Sequence, residues 1–550
     1  MSSGSRFNRG LIGKANPLFS MIRTTVETAF YGNNVTSIIS PCEAYKLAKA
    51  SPGTVVTDMP VFKPEKIGLE PDSKVLLFND GAVTGRCASA RRILGEPGVN
   101  EAEYASKIRE AIYNTRKKKM YHAQAYIGLN SDFMVKAHLL LPQDHENILY
   151  NWLLNFQFMN EHYNEMHENS AKCEREGEIF VFSDPDWQHP DHPLGLSFFD
   201  PEHNCAAILG MRYFGEFKKG TLTLAWGCAN RNGFAACHGG QKRYNLPDRK
   251  YVVGFFGLSG SGKSTLTHAK HNGKYDVTIL HDDAFVISSK DGSSVALEPS
   301  YFDKTSDYPL CSEDNKYLLS VQNVGATQDE NGNIVIVTED IRNGNGRAIK
   351  SRLWSPNRVD KFQEPVDTII WLMKDPSIPP VVKVNSPILA SAMGATLATK
   401  RTSAERLAPG VNPDALVIEP YANPFRTYPL ANDYTRFLEL FEKRNIDCYI
   451  FNTGHFLDKK IPKELTLKIL ESIVEGEAMF QKWQPFDDLE VLEIDGFSPD
   501  ITDDDYRKLL RDRFVDRLNF IKSRASEKGG YDALPSDAAD ALASLIERLK

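Results

Sequence analysis

The sequence predicts an α/β protein built from two domains, one of which binds a mononucleotide. Three observations carry the prediction. Short apolar runs of strand length alternate with helix-period patterns along most of the chain, the arrangement from which layered α/β folds are made. One of those runs, Tyr251-Val252-Val253-Gly254-Phe255-Phe256, opens directly into Gly257-Leu258-Ser259-Gly260-Ser261-Gly262-Lys263-Ser264 and then into the helix-compatible Thr265-Leu266-Thr267-His268-Ala269-Lys270. Strand, phosphate loop and helix therefore come in the order a nucleotide-binding unit needs. Finally, 550 residues exceed what a single core organises.

Taken in order, residues 1 to about 20 are polar and Gly-rich and read as a mobile N-terminus. Val75-Leu76-Leu77-Phe78, Glu178-Ile179-Phe180-Val181-Phe182 and Ala206-Ala207-Ile208-Leu209-Gly210 read as strands, and 101–115 and 144–166 as helices, which together make a first domain over 1–234. A second α/β domain spans 235–550 and holds the phosphate loop, the strand Val277-Thr278-Ile279-Leu280 and later strands around 334–338, 368–373 and 448–452. The turn-rich Asp329-Glu330-Asn331-Gly332-Asn333 predicts a hairpin that joins Val321-Gln322-Asn323-Val324 to Ile334-Val335-Ile336-Val337. Helices over 463–478, 503–523 and 536–549 close the chain, the last with Ser536 as its N-cap.

The loop glycines let successive backbone N–H groups turn toward a polyphosphate, and the helix that follows offers its positive end to the same anion. Lys263 can reach the β- and γ-phosphates, and the Ser264 hydroxyl can meet Mg²⁺. The strand after the loop ends in His281-Asp282-Asp283, where carboxylates are placed to hold nucleotide-bound metal. Upstream stand Tyr213-Phe214-Gly215-Glu216-Phe217-Lys218-Lys219-Gly220 and Ala236-Cys237-His238-Gly239-Gly240. Taken alone, the two lysines read as an exposed turn and His238 as a structural histidine.

Composition excludes several classes. A net charge of −7 with 41% hydrophobic and 25% charged residues leaves no electrostatic footprint for nucleic acid and no polybasic membrane anchor. No apolar stretch approaches membrane-spanning length, and the first ten residues carry no secretory h-region. A cytoplasmic protein with a small anionic substrate, as a monomer or small homo-oligomer, is expected. The eight cysteines form no C-x-x-C pair and read as reduced thiols.

The chain resembles the ATP-type phosphoenolpyruvate carboxykinases, through motifs scattered from about residue 80 to about residue 470. The family's Gly-Leu-Ser-Gly-Thr-Gly-Lys-Thr loop is similar to 257–264, and its paired aspartates match Asp282 and Asp283. Its Tyr-Gly-Gly-Glu-Met-Lys-Lys-Gly resembles 213–220, with a following histidine at His238, and its Phe-Thr-Gly-Arg resembles Val83-Thr84-Gly85-Arg86. Its Glu-Gly-Gly-Cys-Tyr-Ala-Lys-Thr aligns with 298–305, its Asn-Thr-Arg with Asp340-Ile341-Arg342, and its Val-Asn-Thr-Gly with Phe451-Asn452-Thr453-Gly454. Pro379-Pro380-Val381, Lys460-Ile461 and Thr466 also fall at family positions, the last two beside the adenine.

The resemblance implies a two-domain phosphoenolpyruvate carboxykinase-like fold with a P-loop domain, and an enzyme that takes oxaloacetate and ATP to phosphoenolpyruvate, CO₂ and ADP. It implies ATP, Mg²⁺ and Mn²⁺ as cofactors. His238, Lys219 and Asp283 would hold Mn²⁺, with Lys219 as a neutral amine. Ser264 and Asp282 would position Mg²⁺, and the loop residues Gly257 to Thr265, with Lys460 and Thr466, the nucleotide. Arg86, Tyr213, Lys219, Lys263, Lys304 and Arg342 would meet the substrate and the transferring phosphoryl group. The chain departs from the family at Ala284-Phe285-Val286-Ile287, Cys87-Ala88-Ser89-Ala90-Arg91, Pro299-Ser300-Tyr301-Phe302-Asp303 and Asn343-Gly344-Asn345-Gly346, and in the stretch 393–412 that stands in place of the family's lid. These departures surround the acceptor. They keep two alternatives open: a divergent kinase acting on another small anion or a protein hydroxyl, and a nucleotide-binding regulator without activity.

Overall fold

The computed structural model describes residues 20–79, 88–171, 173, 176–258, 260–309, 312–339, 346–400, 412 and 415–550. Arg86, Ser259 and Arg342 lie outside them, as do residues 401–411 of the lid-like stretch. The described residues form two compact units. One joins the chain up to Cys228 to Leu297–Pro356, and the other joins Ala229–Ala296 to the described chain from Asn357 onward. A division at 234/235 follows the sequence, whereas the compact units interleave. The reason is a five-stranded sheet ordered Tyr301–Lys304, Arg347–Lys350, Leu318–Gln322, Lys74–Phe78, Thr54–Pro60, which draws 297–356 into the first unit.

The first unit also holds an eight-stranded mixed sheet ordered Val35–Ile38, Met120–Asn130, Phe133–Pro142, Ile179–Asp184, Cys205–Leu209, Leu196–Asp200, Arg91–Ile93, with Gln157–Phe158 paired to Met120–Asn130. The helices Met21–Thr28 and Glu101–Thr115 pack Ile22, Val26, Tyr104 and Ile108 into one core with Leu140, Phe180 and Phe198. Each helix starts where a side chain accepts from an orphan N–H, Ser20 from Arg23 and Asn100 from Glu103. The single helix expected over 144–166 is two, Glu146–Asn155 and Glu161–Glu168. Gln157–Phe158 pairs with Ala125–Tyr126 in between, and the Asn160 side chain caps the second helix. The expected hairpin has its turn at 329–333, but its first strand is Gly325–Gln328, because Leu318–Gln322 is already bonded on both edges within the five-stranded sheet.

In the first unit's core His122 Nε2 lies 2.9 Å from His138 Nδ1, and His138 Nε2 lies 2.8 Å from Glu178 Oε2. Burial, reinforced by His138 and Lys136, pushes His122 from 6.5 down to about 3. The folded chain thus keeps neutral a group that the unfolded chain protonates below about pH 6.5. Acidification from there toward about pH 3 removes stability at about 1.4 kcal/mol per pH unit. Denaturant unfolding at about pH 7.5 and about pH 5 should differ by about 2 kcal/mol through this residue. His122→Asn should lose that part of the difference.

The second unit is organised by an eight-stranded sheet ordered Val277–His281, Gly239–Asn245, Lys250–Phe256, Thr368–Met373, Asp447–Asn452, Val381–Val384, Leu489–Leu492, Phe480–Lys482. Lys250–Phe256, Thr368–Met373 and Asp447–Asn452 are parallel neighbours, with antiparallel strands on both sides. Parallel strands end on the same side, so the loops after Phe256, Met373 and Asn452 gather at one end of the sheet, where α/β sheets bind ligands. The helix Lys463–Glu475 packs Ile469, Leu470 and Val474 into one core with Val253, Phe255 and Phe451. It stops short of the expected 478 because Gly476, with φ +75°, turns the chain out of the helix. The last helix is Ser536–Glu547, and Pro535 rather than Ser536 holds its N-cap position, with no side-chain bond to the first turn. Among the described residues no helix is long and apolar enough to cross a membrane, and Cys42, Cys173, Cys205, Cys228, Cys237 and Cys448 form no disulfide with one another.

Candidate functional site

The central strand Lys250–Phe256 delivers the chain to Gly257, which has no room for a side chain. A Cβ there would sit 2.2 Å from Ser261 Oγ and 2.8 Å from Leu372 Cβ. Gly260 and Gly262 take φ values of +80° and +93°, a region that costs glycine little and other residues more. The turn is closed from inside by Ser261 N–H donating to the Leu258 carbonyl at 3.0 Å, and from outside by Thr453 Oγ1 donating to the Ser261 carbonyl at 2.8 Å. Gly262 is the N-cap of the helix Lys263–His268 and offers it no side-chain bond, so the helix starts earlier than 265. Its first N–H groups are left to an anion. Lys263 is buried at this start, while Ser264 and Thr265 are exposed. Gly257→Ala is expected to displace the loop and weaken ATP binding by at least about tenfold. Calorimetric titration checks this, and unchanged affinity would refute the tight packing at Gly257.

Asp282 and Asp283 follow the strand Val277–His281 but point to different partners. Asp282 is buried with Oδ2 3.3 Å from His268 Nε2 of the loop helix. Burial pushes its carboxyl up, but His268, His281 and Lys263 outweigh burial and hold it well below the usual carboxylate range. Asp283 Oδ1 lies 3.2 Å from His238 Nε2. His238 stands between the strands Phe234–Cys237 and Gly239–Asn245, with Nδ1 bonded to the Ala422 carbonyl. A carbonyl only accepts, so Nδ1 carries a proton and Nε2 faces the carboxylate. Something positive must lie between that nitrogen and that oxygen, a proton or a metal ion. A backbone carbonyl on the far ring nitrogen is the arrangement that orients metal-binding histidines. Among the described residues no three His, Cys, Asp or Glu side chains form a metal-binding group, so a cation here needs a further ligand of another type.

Several residues of this construction carried no sequence signal. Tyr421 and Ala422 take φ values of 52° and 53°, strained for non-glycine residues, and Tyr421 is held there by bonds between its hydroxyl and Ser391. Lys242 is buried, and its Nζ donates to the carbonyls of Leu266 at 2.7 Å and Ala269 at 3.3 Å, closing the C-terminal end of the loop helix. Burial pushes its ammonium down to about 7, with Glu471 opposing. Asn452 donates to the carbonyls of Asp375, Ile378 and His455, tying together the loops that follow two parallel strands. That anchors the short hairpin His455–Phe456 and Lys459–Lys460, on which Lys460 is exposed. Thr466 is buried on the helix Lys463–Glu475, its hydroxyl 3.4 Å from the Pro462 carbonyl.

The first unit carries the remaining described residues. Lys218 and Lys219 are not on an exposed turn. Both are buried on the helix Phe214–Arg231, Lys218 with Nζ 2.9 Å from Glu298 Oε1 and Lys219 with Nζ 5.8 Å from the Trp226 ring centre. Tyr213 leads into that helix. Its ring folds over Gly215, where a Cβ would lie 2.4 Å from it, and tilts against Phe302. Lys304 ends its strand half-buried, and burial together with the Arg347 cation lowers its pKa. Asp303, one residue earlier and so on the opposite face of the strand, pairs with Lys350 at 2.9 Å, which keeps its charge off Lys304.

A family profile described as phosphoenolpyruvate carboxykinase, ATP type, matches residues 62–495. A curated protein of Aeropyrum pernix named phosphoenolpyruvate carboxykinase (ATP) is 28% identical over 340 residues, 58% of this chain and 67% of that protein. One of Dictyostelium discoideum with the same name is 24% identical over 221 residues, 35% of this chain and 36% of that protein. With the profile covering most of its length, the chain belongs to the ATP-type phosphoenolpyruvate carboxykinase family.

Proposed function

We propose that this chain decarboxylates oxaloacetate and transfers the γ-phosphoryl group of ATP to the resulting enolate, giving phosphoenolpyruvate, CO₂ and ADP. The observation that carries the reading is the His238 and Asp283 pair, 3.2 Å apart, in the unit that holds the phosphate loop. A nucleotide-binding protein without carbonyl chemistry needs only the loop and the aspartates, not His238 or the cations at 86, 219, 304 and 342. The donors fit the metals the family implies. Ser264 with an ionised Asp282 would hold Mg²⁺ on the nucleotide, and His238, Asp283 and the amine of Lys219 would hold Mn²⁺. When bound, these ions supply positive charge at the β- and γ-phosphoryl oxygens and at the carbonyl of the acceptor.

The residues then have separable tasks. Arg86 and Arg342 would hold carboxylate or phosphoryl oxygens, because a planar guanidinium binds two at once. Tyr213 would lie against the acceptor. Cleavage of the C–C bond releases CO₂ and leaves its electron pair in the enolate. The enolate oxygen attacks the γ-phosphorus, and the bond to the β,γ-bridging oxygen breaks with its electrons on ADP. Lys263 and Lys304 would neutralise charge on the transferring group. Burial and the Arg347 cation lower the pKa of Lys304, and an anion beside it would favour its charged form.

A second reading, a kinase of the same fold acting on another small anion, is favoured by one observation. Ala284, Phe285, Val286 and Ile287 are fully buried and apolar where the family sequence begins with charged and polar residues. One assay separates the two. Purified protein with ATP, Mg²⁺, Mn²⁺ and oxaloacetate is expected to form ADP and phosphoenolpyruvate in equal amounts. ADP without phosphoenolpyruvate would favour the other kinase, and nucleotide binding without turnover would refute both.

A further inference from the structure

In the first unit Lys304, Arg347 and Gln322 are direct cross-strand partners on three adjacent strands. Partners in an antiparallel pair share a face, with Cβ atoms about 4.5–5.5 Å apart, so the three side chains form one row. Phe302 lies two residues before Lys304, on the same face, and its ring contacts Tyr213 and Phe214. The row thus belongs to the face that carries Tyr213.

Two members of the row are buried without the partners burial demands. Arg347 is 4% exposed; one of its Nη atoms donates to the Gly346 carbonyl, and the other, Nη2, has no hydrogen-bond partner among the described residues. Gln322 is 1% exposed, and neither its Nε2 nor its Oε1 has a partner among them. Asp307 is the carboxylate that interacts with both Arg347 and Lys304, but a buried guanidinium Nη with no hydrogen-bond acceptor, beside an unsatisfied carboxamide, costs more than the same groups in water. Burial and then the Arg347 cation lower the pKa of the neighbouring Lys304, with Asp307 opposing them. Arg347 Nη2 and both polar side-chain atoms of Gln322 thus stand in one row with no hydrogen-bond partner among the described residues.

We propose that Arg347 and Gln322, with Lys304, form an oxyanion subsite that takes a carboxylate or phosphoryl group of the acceptor. A planar guanidinium edge and an amide N–H suit two oxygens of one such group, and Gln322 Oε1 suits a hydroxyl or water attached to it. The assignment of the oxyanion to the acceptor rests on the proposed function; the anion binding itself does not.

The test is calorimetric titration of the full chain with oxalate and with inorganic phosphate, each repeated in a Lys263→Ala background so that the phosphate loop does not contribute. Arg347→Met is expected to weaken the recognised anion by at least about tenfold, and Gln322→Leu by about three- to tenfold. Both anions should raise the melting temperature of the wild type but not of Arg347→Met. Weakening confined to oxalate assigns a carboxylate, and weakening confined to phosphate assigns a phosphoryl group. If Arg347→Met does not fold, Gln322→Leu gives the same reading. Unchanged affinity for both anions in a folded variant overturns the subsite. A protein that makes no phosphoenolpyruvate yet loses anion binding with Arg347 keeps the subsite and drops the carboxykinase reading. One that makes it with unchanged KM for oxaloacetate in Arg347→Met does the reverse.

Discussion

Lys263→Ala is expected to lower ATP-dependent turnover by about 10³-fold or more and to leave the fold in place. Lys263 is the first residue of the loop helix and is buried there, so its ammonium is placed at the end of a glycine-turned loop rather than swinging in solvent. Its removal acts twice. The transferring phosphoryl group loses a fixed positive charge in a site where nothing else in the loop is cationic. The Lys263 charge also helps hold the Asp282 carboxyl low against burial, so the carboxylate loses one of its three supports. The backbone has its own bonds. The Leu266 N–H donates to Gly262, and Thr267 Oγ1 donates to the Lys263 carbonyl at 2.9 Å, neither through the lysine side chain. Circular dichroism melting should therefore shift little while kcat falls. Turnover within about tenfold of wild type would sink the loop assignment.

What the sequence disclosed depends on how far apart the cooperating atoms stand along the chain. The phosphate loop was legible because strand, loop and helix are contiguous over 251–268, and Asp282 and Asp283 because they end the next strand of the same unit. The burial of Lys218 was not, since its partner, Glu298, stands far along the chain. The proton on His238 is set by Ala422, whose carbonyl is aimed by two left-handed residues with no glycine to signal them. Lys242 looks like any polar position of an alternating strand. Only the fold shows its ammonium under the end of the loop helix. The break at 156–160 and the changed partner of 334–337 have one cause: strand pairing is decided by which edges remain open, a tertiary fact that turn residues and periodicity do not carry. Arg347 was passed over for the same reason, because its row is assembled from strands that end at residues 304, 322 and 350.

His238→Ala is expected to raise the Mn²⁺ concentration needed for half-maximal activity by about 10²-fold or more and to leave the binding of Mg²⁺·ATP nearly unchanged. The two effects separate because the two aspartates have different neighbours. Asp282 is tied to His268 of the loop helix at 3.3 Å, and Asp283 to His238 at 3.2 Å. Removing the imidazole takes away the group 3.2 Å from Asp283 but does not touch the loop. A purely structural histidine would give another pattern. The Nδ1–H bond to Ala422 is lost in either case, at about 1–3 kcal/mol, but with a structural histidine both metal responses would weaken together with the melting temperature. His238→Asn sharpens the distinction, because its side-chain amide can still donate to the Ala422 carbonyl while it offers no imidazole nitrogen to a metal. If His238→Asn restores stability but not the Mn²⁺ response, the histidine acts through Nε2. If it restores both, the pair with Asp283 is a salt bridge, and the second metal must be sought elsewhere.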